Sequence, residues 1–202
     1  MKLEDVSQAI ADRAEGRRRF LVAIAGPPAS GKSTLAARLA RKIGEGSKVV
    51  AMDGFHRDNH WLDAHGLRDR KGAPETFDVE AFTALVGTLA SGEAADVPGF
   101  DRDRDCVVPA ADHVGAADRI LLVEGNYLLL DRPDWHDLAR LWDVTVFLSV
   151  PRAELERRLV ARWRQHGWDD DVARAWIDGN DLPNISTVLT ESRAADYVIE
   201  SD

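Results

Sequence analysis

The segment GPPASGKS, Gly26–Ser33, restricts the fold of this chain more than any other feature. It matches the pattern G-x-x-x-x-G-K-[ST] in full. An apolar run, FLVAIA, precedes it, and TLAARLARKI, with apolar residues at helical spacing, follows it. In such a strand–loop–helix unit, the loop N–H groups and the positive helix end converge on phosphates. We therefore expect a phosphate-binding loop rather than an ordinary turn rich in glycine and proline.

The motif predicts roles for its own residues, and one acidic residue downstream is a further candidate. Lys32 is expected to reach the β- and γ-phosphates of a nucleotide, and the Ser33 hydroxyl to ligate Mg²⁺. Glu124 ends the apolar run ILLVE, at the strand end where parallel sheets place ligands, and is a second candidate metal residue. It could instead be a strand-end carboxylate bonded to a loop. The expected nucleotide-binding residues are Gly26, Pro27, Pro28, Ala29, Ser30, Gly31, Lys32, Ser33 and Thr34.

Continuous apolar runs alternate with helical patterns along the chain, which indicates a parallel α/β sheet with strands buried on both faces. The expected strands are Phe20–Gly26, Lys48–Asp53, Arg119–Gly125, Asp143–Val150 and the run ADYVIES near the end. The expected helices are Ser33–Ile43, Val79–Ser91, Trp135–Leu141, Arg152–Gln165 and one or two after Asp169.

Length and composition favour one domain spanning residues 1–202, since 202 residues with 45% hydrophobic content can bury one good core. The segments 53–78 and 94–114 interrupt the alternation and read as long polar loops. Loops of that length in α/β domains are more often functional than idle, so we expect both to lie near the site.

Charge and cysteine content exclude several classes of function. A formal net charge of −9 argues against nucleic acid as a partner. Cys106 is the only cysteine, which excludes an internal disulfide and fits a reducing cytosol. No signal peptide or membrane-spanning run is evident, so we expect a cytoplasmic protein without a membrane partner.

Asp53 is the candidate catalytic base. It ends the second expected strand and should project into the crevice that holds the phosphate-binding loop. A carboxylate there can align an attacking hydroxyl and accept its proton. Asp53 could alternatively, or in addition, begin a turn with Gly54.

The remaining motifs favour a kinase among nucleotide-binding proteins. The chain lacks the N-K-x-D sequence by which GTPase switches read guanine, and motor ATPases normally need more chain. The ordered segments GPPASGKS, MDGFHRDN, RKGAPETFDVEAF, VPGFDRDRD and VEGNYLLL resemble the uridine kinase, phosphoribulokinase and bacterial pantothenate kinase group. The same segments also resemble small bacterial proteins named as fructose transport-system kinases.

The resemblance implies a P-loop NTPase fold with a five-stranded parallel sheet in 2-3-1-4-5 order, a small helical lid, ATP with Mg²⁺, and Asp53 as base. It also implies a set of acceptor-binding residues. Asp78 has an equally simple interpretation as the N-cap of the next helix, and Arg70 and Lys71 could be solvated loop cations. The expected acceptor-binding residues are His56, Arg70, Lys71, Phe77, Asp78, Phe100, Asp101, Arg102 and Asn126.

The lid is expected at about residues 152–170, where Arg157, Arg158, Arg162 and Arg164 occur. Arginines that close over the transferring phosphoryl group neutralise charge and exclude water. Arg158 and Arg162 share a helix face and are the preferred catalytic candidates, although each arginine could simply form surface ion pairs.

Three further groups complete the sequence-based assignment. Asn180–Asn184, NDLPN, resembles the family's loop near the adenine. His60 and His65 are expected to be solvated. Trp163, Trp168 and Trp176 are expected to pack in the lid and helices rather than to stack on a base.

The sequence thus predicts an ATP- and Mg²⁺-dependent transfer of the γ-phosphoryl group to a hydroxyl of a sugar, nucleoside or pantothenate-like alcohol. The alternative is a catalytically silent nucleotide-binding regulator of a sugar-transport system. The oligomeric state stays open, with a homodimer as one option.

Overall fold

A five-stranded parallel sheet forms the centre of the computed structural model, which describes residues 1–201. Its strands run in the order β2-β5-β1-β6-β7, and β3 and β4 pair separately as an antiparallel hairpin. The strands are β1 Phe20–Ala25, β2 Ser47–Ala51, β3 Ala95–Asp101, β4 Cys106–Val114, β5 Ile120–Gly125, β6 Val144–Ser149 and β7 Tyr197–Glu200.

The strand numbers differ from the expected 2-3-1-4-5 because the hairpin stands between the second and third strands of the sheet along the chain. Numbered within the sheet alone, the order is the expected one. Each neighbouring pair in this sheet is parallel, as the apolar runs predicted.

Helices cover both faces of the sheet. The α-helices are α1 Leu3–Arg13, α2 Lys32–Ile43, α3 Asn59–Ala64, α4 Val79–Ala90, α5 Arg152–Gln165, α6 Asp170–Trp176 and α7 Leu182–Glu191. A five-residue π-helix, Ile177–Asp181, joins α6 to α7. The helix expected at Trp135–Leu141 is a 3₁₀-helix, Pro133–Arg140. Among the described residues, no helix combines the length and apolarity needed to cross a membrane.

Strand β1 shows how the core is divided between the two faces. All six of its residues are buried. Val22 and Ile24 pack with α1, α2 and α5, whereas Leu21 and Ala23 face the side covered by α4. Successive side chains of a strand point to opposite faces. A strand buried on both faces is therefore apolar throughout, which is why the sequence predicted it correctly.

The expectation of a loop at residues 94–114 is wrong, because this segment forms the β3–β4 hairpin. Most of β4 is exposed or half-buried, so its sequence carries no buried-strand pattern. The hairpin lies against the 3₁₀-helix Met52–Phe55 at Gly54. A Cβ atom at Gly54 would lie 2.1 Å from the carbonyl oxygen of Pro98, so this close approach requires glycine.

The other expected loop, which starts at Asp53, also contains regular structure. It includes α3 and three short 3₁₀-helices, Met52–Phe55, Arg68–Arg70 and Pro74–Thr76. The side chain of Asp58 accepts a hydrogen bond of 2.8 Å from the Trp61 backbone N–H and caps α3. This segment is thus a series of short helical turns that follows β2, and one of them, α3, has a side-chain cap.

Candidate active site

The segment Gly26–Ser33 joins β1 to α2 and has the geometry of a phosphate cradle. Gly31 precedes α2 with a φ of 92°, and Ala29 has a φ of 62°, which is uncommon outside glycine. Strain of this kind persists at binding loops that need a special backbone shape. Ser30 Oγ is buried and has no hydrogen-bond partner among residues 1–201. The loop therefore has a backbone shape that suits an anionic ligand, and its buried Ser30 hydroxyl is available to bind one.

Ser33 and Glu124 meet directly beside this cradle. The Ser33 hydroxyl donates a hydrogen bond of 2.9 Å to Oε1 of Glu124. Burial raises the pKa of Glu124, an effect that Lys32 opposes and Asp53 reinforces. A hydroxyl and a carboxylate are hard oxygen ligands of the type that Mg²⁺ prefers. The pair therefore fits the metal role expected for both residues.

Strand register brings the acidic residues together. Ile24 of β1 pairs with Glu124 of β5, and Ala51 of β2 pairs with the same glutamate. Asp53 lies two residues beyond Ala51, in the 3₁₀-helix that starts where β2 ends. Its carboxylate therefore lies at the same sheet edge as the phosphate cradle, where open parallel sheets place their ligands.

Lys32 and Asp53 line one cleft of about 640 Å³. Burial lowers the pKa of Lys32, while the carboxylates of Glu124 and Asp53 act against that lowering. Burial alone would raise the pKa of Asp53. The neighbouring His56, Arg102 and Lys32 outweigh this effect and hold that pKa below its usual value. The carboxylate that must accept a proton is thus ionised at neutral pH.

His56 lies next to the candidate base. Its Nδ1 is 2.8 Å from the carbonyl oxygen of Asp53, and its ring packs between Phe77 and Phe100 at centroid distances of 4.2 and 4.6 Å. Burial lowers the pKa of His56. His56 and Phe100 both line the cleft, as expected, whereas Phe77 is buried beneath them.

Lys71 faces the cleft, as the sequence predicted for an acceptor-binding residue. Its Nζ lies 2.6 Å from Oδ1 of Asp105, donates to Oδ1 of Asn59 at 2.7 Å, and lies 5.2 Å from the ring centroid of Phe100. Asp105 and Asn59 were not assigned a role from the sequence. They are isolated polar residues in segments read as loops, where no local pattern distinguishes them.

Arg70 has a different position from the one expected. Instead of lining the cleft, it donates hydrogen bonds to Oδ1 of Asn180 at 3.0 Å and to Oδ1 of Asn184 at 3.2 Å. The Asn180 amide donates to the Lys71 carbonyl at 2.8 Å. Both asparagines are buried. The segment Asn180–Asn184 thus holds the Arg70–Lys71 loop in place, and its expected proximity to adenine stays a prediction.

Asp78 and Asp101 have structural positions. Asp78 accepts a hydrogen bond of 3.1 Å from the Ala81 N–H, which caps α4, and one of 2.8 Å from Arg57. The N-cap alternative is therefore the one seen here. Asp101 accepts bonds of 3.0 Å from the N–H groups of Asp103 and Arg104 in the hairpin turn. Phe77, Asp78 and Asp101 lie outside the lining of the cleft, because their side chains are used in packing or capping.

Two other predicted acceptor residues do face the cleft. Arg102, in the hairpin turn, forms an ion pair with Asp53. Asn126 follows β5, and its Oδ1 is buried without a hydrogen-bond partner among residues 1–201. Leaving a buried acceptor unsatisfied is costly. Asn126 therefore presents an unused acceptor where a substrate hydroxyl could donate to it.

The four lid arginines divide into two pairs. Arg157 and Arg164 are exposed and form ion pairs with Glu154 and Asp170, the surface alternative considered above. Arg158, expected to be catalytic, lies outside the cleft lining: it forms an ion pair of 2.6 Å with Glu154 and donates a hydrogen bond of 2.9 Å to the Ser30 carbonyl of the phosphate cradle. Arg162 lines the cleft, and no carboxylate of residues 1–201 lies within ion-pair distance of it. Its guanidinium is thus available to a phosphoryl group.

Asp181 is a cleft residue of the segment Asn180–Asn184, for which the sequence predicted a position near the adenine without a role for this carboxylate. It is the last residue of the π-helix, is buried, and accepts a hydrogen bond of 2.7 Å from the indole N–H of Trp163. Burial raises its pKa. Single π-turns often mark functional sites, but nothing in the local sequence signals this one.

The fold and the site together define a P-loop kinase that acts on small molecules. Residues 21–187 match the model of the "Phosphoribulokinase / Uridine kinase family". The chain belongs to this family.

Individual relatives agree on the fold and on kinase chemistry. The crystal structure of a "putative fructose transport system kinase" from Silicibacter sp. TM1040 is 46% identical, covers 98% of this chain and 99% of that one, and superimposes with a TM-score of 0.94. A "Putative uridine kinase" of Schizosaccharomyces pombe is 33% identical over 91% of this chain and 84% of the relative. A pantothenate kinase of Sorangium cellulosum is 30% identical over 98% of this chain and 74% of the relative. The substrates that these names carry differ from one another.

Proposed function

We propose that this kinase transfers the γ-phosphoryl group of ATP, in a Mg²⁺-dependent reaction, to a hydroxyl of a small polar metabolite. The acceptor is a sugar, a nucleoside or a pantothenate-like alcohol. One observation carries the proposal. Asp53 lines the same cleft as Lys32 and lies at the same sheet edge as the Ser33–Glu124 pair.

On the donor side, the backbone of Gly26–Ser33 and the N-terminus of α2 hold the phosphates. Lys32 contacts the β- and γ-phosphates. Ser33 and Glu124 would hold Mg²⁺, which would supply neutralisation of the phosphate charge. Thr34, exposed in the first turn of α2, is available to the phosphates as well.

On the acceptor side, Asp53 aligns the attacking hydroxyl and takes its proton. Asn126 accepts a hydrogen bond from a second hydroxyl, since its Oδ1 is otherwise unsatisfied. His56, Phe100 and Lys71 form the adjacent wall of the cleft. Arg102 lines the same cleft and forms an ion pair with Asp53.

The lid completes the site. Arg162 stabilises the charge of the transferring phosphoryl group, and Arg158 connects the middle of α5 to the phosphate cradle through the Ser30 carbonyl. Closure of this lid excludes water, which limits wasteful hydrolysis of ATP.

A screen of acceptors tests the proposal. ADP release with ATP and Mg²⁺ is measured against sugars, nucleosides and pantothenate, and we expect one acceptor class to give strong stimulation. Asp53→Asn should lower that stimulated rate by about a hundredfold or more while ATP affinity stays within a few-fold. Lys32→Ala should lower both the stimulated rate and the affinity for ATP. The control Asp103→Asn removes an exposed carboxylate of the same cleft and should change the rate by less than about twofold.

Two outcomes would contradict the proposal. A turnover in Asp53→Asn equal to that of the wild type would remove the assignment of the base. ATP binding without stimulation by any acceptor would favour the nucleotide-binding regulator of a sugar-transport system. The cytoplasm, where ATP and phosphorylatable metabolites occur, is the location that we propose for the reaction.

A further inference from the structure

Three tryptophans of the lid region form one cluster at the cleft. Trp163 belongs to α5, Trp168 follows it, and Trp176 ends α6. Ring centroids are 4.4 Å apart for Trp163 and Trp168, 5.9 Å for Trp168 and Trp176, and 6.1 Å for Trp163 and Trp176. All three line the cleft that contains Asp53. We call Trp163, Trp168 and Trp176 the indole cluster.

Core packing does not account for the indole cluster. Trp163 packs at the edge of one hydrophobic core, but Trp168 and Trp176 belong to neither core of residues 1–201. Both are only half-buried. Large aromatic side chains that leave ring surface in a cleft, rather than in the interior, are typical of ligand-binding sites. Their expected role of packing in the lid therefore explains only part of their surface.

A hydrogen bond keeps the cluster in place. The indole N–H of Trp163 donates to Oδ2 of Asp181 at 2.7 Å, and Asp181 is buried in the π-helix. The preceding residue, Asn180, donates to the carbonyl oxygen of Lys71. The indole cluster is thus tied to the loop that forms the acceptor side of the cleft.

Apart from Arg162, which faces the transferring phosphoryl group, the cations of the cleft leave little for a strongly charged acceptor to pair with. Its cations on the acceptor side are already matched by carboxylates of the protein itself, so most of the selectivity has to come from shape, hydrogen bonds and apolar surface. The pairs are Lys71–Asp105, Arg102–Asp53 and Arg68–Asp63.

We propose that the indole cluster is a subsite for an apolar or planar group at the far end of the acceptor. The hydroxyl-bearing end then meets Asp53. This inference rests on the proposed function and makes it more specific: the preferred acceptors carry an aryl, base-like or alkyl group besides their hydroxyls, and a bare monosaccharide is a poor acceptor.

The test uses matched probes that differ only in the distal group. The pairs are methyl and phenyl β-D-ribofuranoside, methyl and phenyl β-D-glucopyranoside, and pantothenamide and N-pentyl-pantothenamide. Binding is measured by calorimetry with a non-hydrolysable ATP analogue, and turnover by ADP release. We expect the larger member of at least one pair to bind about tenfold more tightly, because it buries apolar surface on the indole rings.

Substitutions of the tryptophans test whether the tighter binding of the larger probe depends on the indole cluster. Trp168→Ala and Trp176→Ala should each remove most of the difference within that pair, while the KM for ATP changes less than about twofold. Trp168→Phe, which keeps an aromatic ring, should restore much of it. Trp142→Phe is the control, since Trp142 lies outside the cleft lining and its indole N–H donates to the Leu128 carbonyl. Thermal melting shows that each variant folds.

Three results would overturn the inference. The first is equal binding, or no binding, of both members in every pair of probes. The second is a difference in affinity within a pair that persists in both alanine variants. The third is a rise in the KM for ATP as the main effect of these variants, which would place the indole cluster next to the adenine. Failure of the proposed function would give a different result. Probes that bind with the expected difference in affinity, but without any acceptor-dependent turnover, would contradict the kinase reaction and still support the subsite.

Discussion

The guanidinium of Arg102 forms an ion pair with the carboxylate of Asp53, although the two residues are 49 positions apart in the chain. The hairpin turn brings the arginine to the end of β2. The positive charge contributes to the low pKa of Asp53. A residue of the hairpin, together with His56 and Lys32, thus helps to keep the proposed base ionised.

Arg102→Gln should shift the acidic limb of the pH profile. Loss of the positive charge raises the pKa of Asp53, so acceptor-dependent kcat/KM should begin to fall at a higher pH, by up to about one pH unit. The matched control is Arg104→Gln, an exposed arginine of the same turn. Superimposable profiles for Arg102→Gln and the wild type would show that the ion pair does not set the state of the base.

Gly54→Ala should destabilise the protein. The added Cβ atom would clash with the Pro98 carbonyl, so the hairpin must move away from the end of β2. We expect a cost of about 1–3 kcal/mol and a fall in Tm of roughly 2–12 °C, with impaired acceptor-dependent turnover. In Gly87→Ala the new methyl group has no neighbour within 4 Å, and this helix position should be neutral or slightly stabilised. Equal melting of the two variants would contradict the close contact.

Arg162→Ala should lower kcat by about a hundredfold or more, because the guanidinium stabilises charge on the transferring phosphoryl group. Arg157→Ala on the same helix, where the arginine is exposed and paired with Glu154, should stay within about twofold of the wild type. Steady-state kinetics of acceptor-dependent ADP release compare the two. Similar losses in both variants would indicate a general effect on α5 instead.

His56 should make the stability depend on pH in the weakly acidic range. Burial lowers its pKa below the usual 6.5, so below that pH the unfolded chain binds more protons than the folded protein. The contribution is fully present above pH 6.5 and is lost as the pH falls toward the folded-state pKa. His56→Gln should reduce the pH dependence of the free energy of unfolding below pH 6.5, as denaturant titrations at a series of pH values would show.

The exposed His60 provides the control for this titration. The variant His60→Gln should keep the wild-type slope. An NMR titration of the His56 ring in the folded protein gives the second measurement. A midpoint at or above 6.5 would contradict the predicted direction.

Sequence reasoning succeeded where the signal is local. The parallel strands are buried on both faces and therefore form continuous apolar runs, as β1 does. Ser33 and Glu124 could be paired because the motif and a strand end each mark one of them, and the register of β1 and β5 brings them together. Asp53 was placed at the same edge for the same reason.

Sequence patterns did not predict the elements that are mostly exposed to solvent, or the contacts between segments that are separated along the chain. The β3–β4 hairpin lacks a buried face along most of β4, so the sequence pattern predicts a loop there. Asp78 was considered for both a cap and a substrate contact, and only its hydrogen bond from the Ala81 N–H distinguishes them. The bond between Trp163 and Asp181 depends on the π-helix, which has no sequence signature.

Consecutive residues and apolar runs in this chain already specify the phosphate cradle, the α/β sheet and the sheet edge at which Lys32, Asp53 and Glu124 lie, since short-range geometry and burial dictate them. The acceptor side of the cleft depends on folding of the whole chain. There, Arg102, Arg70 and Asp181 find their partners across long stretches of sequence. Such contacts form only after the sheet and its loops have packed, because the polar side chains in them carry no periodic pattern of their own.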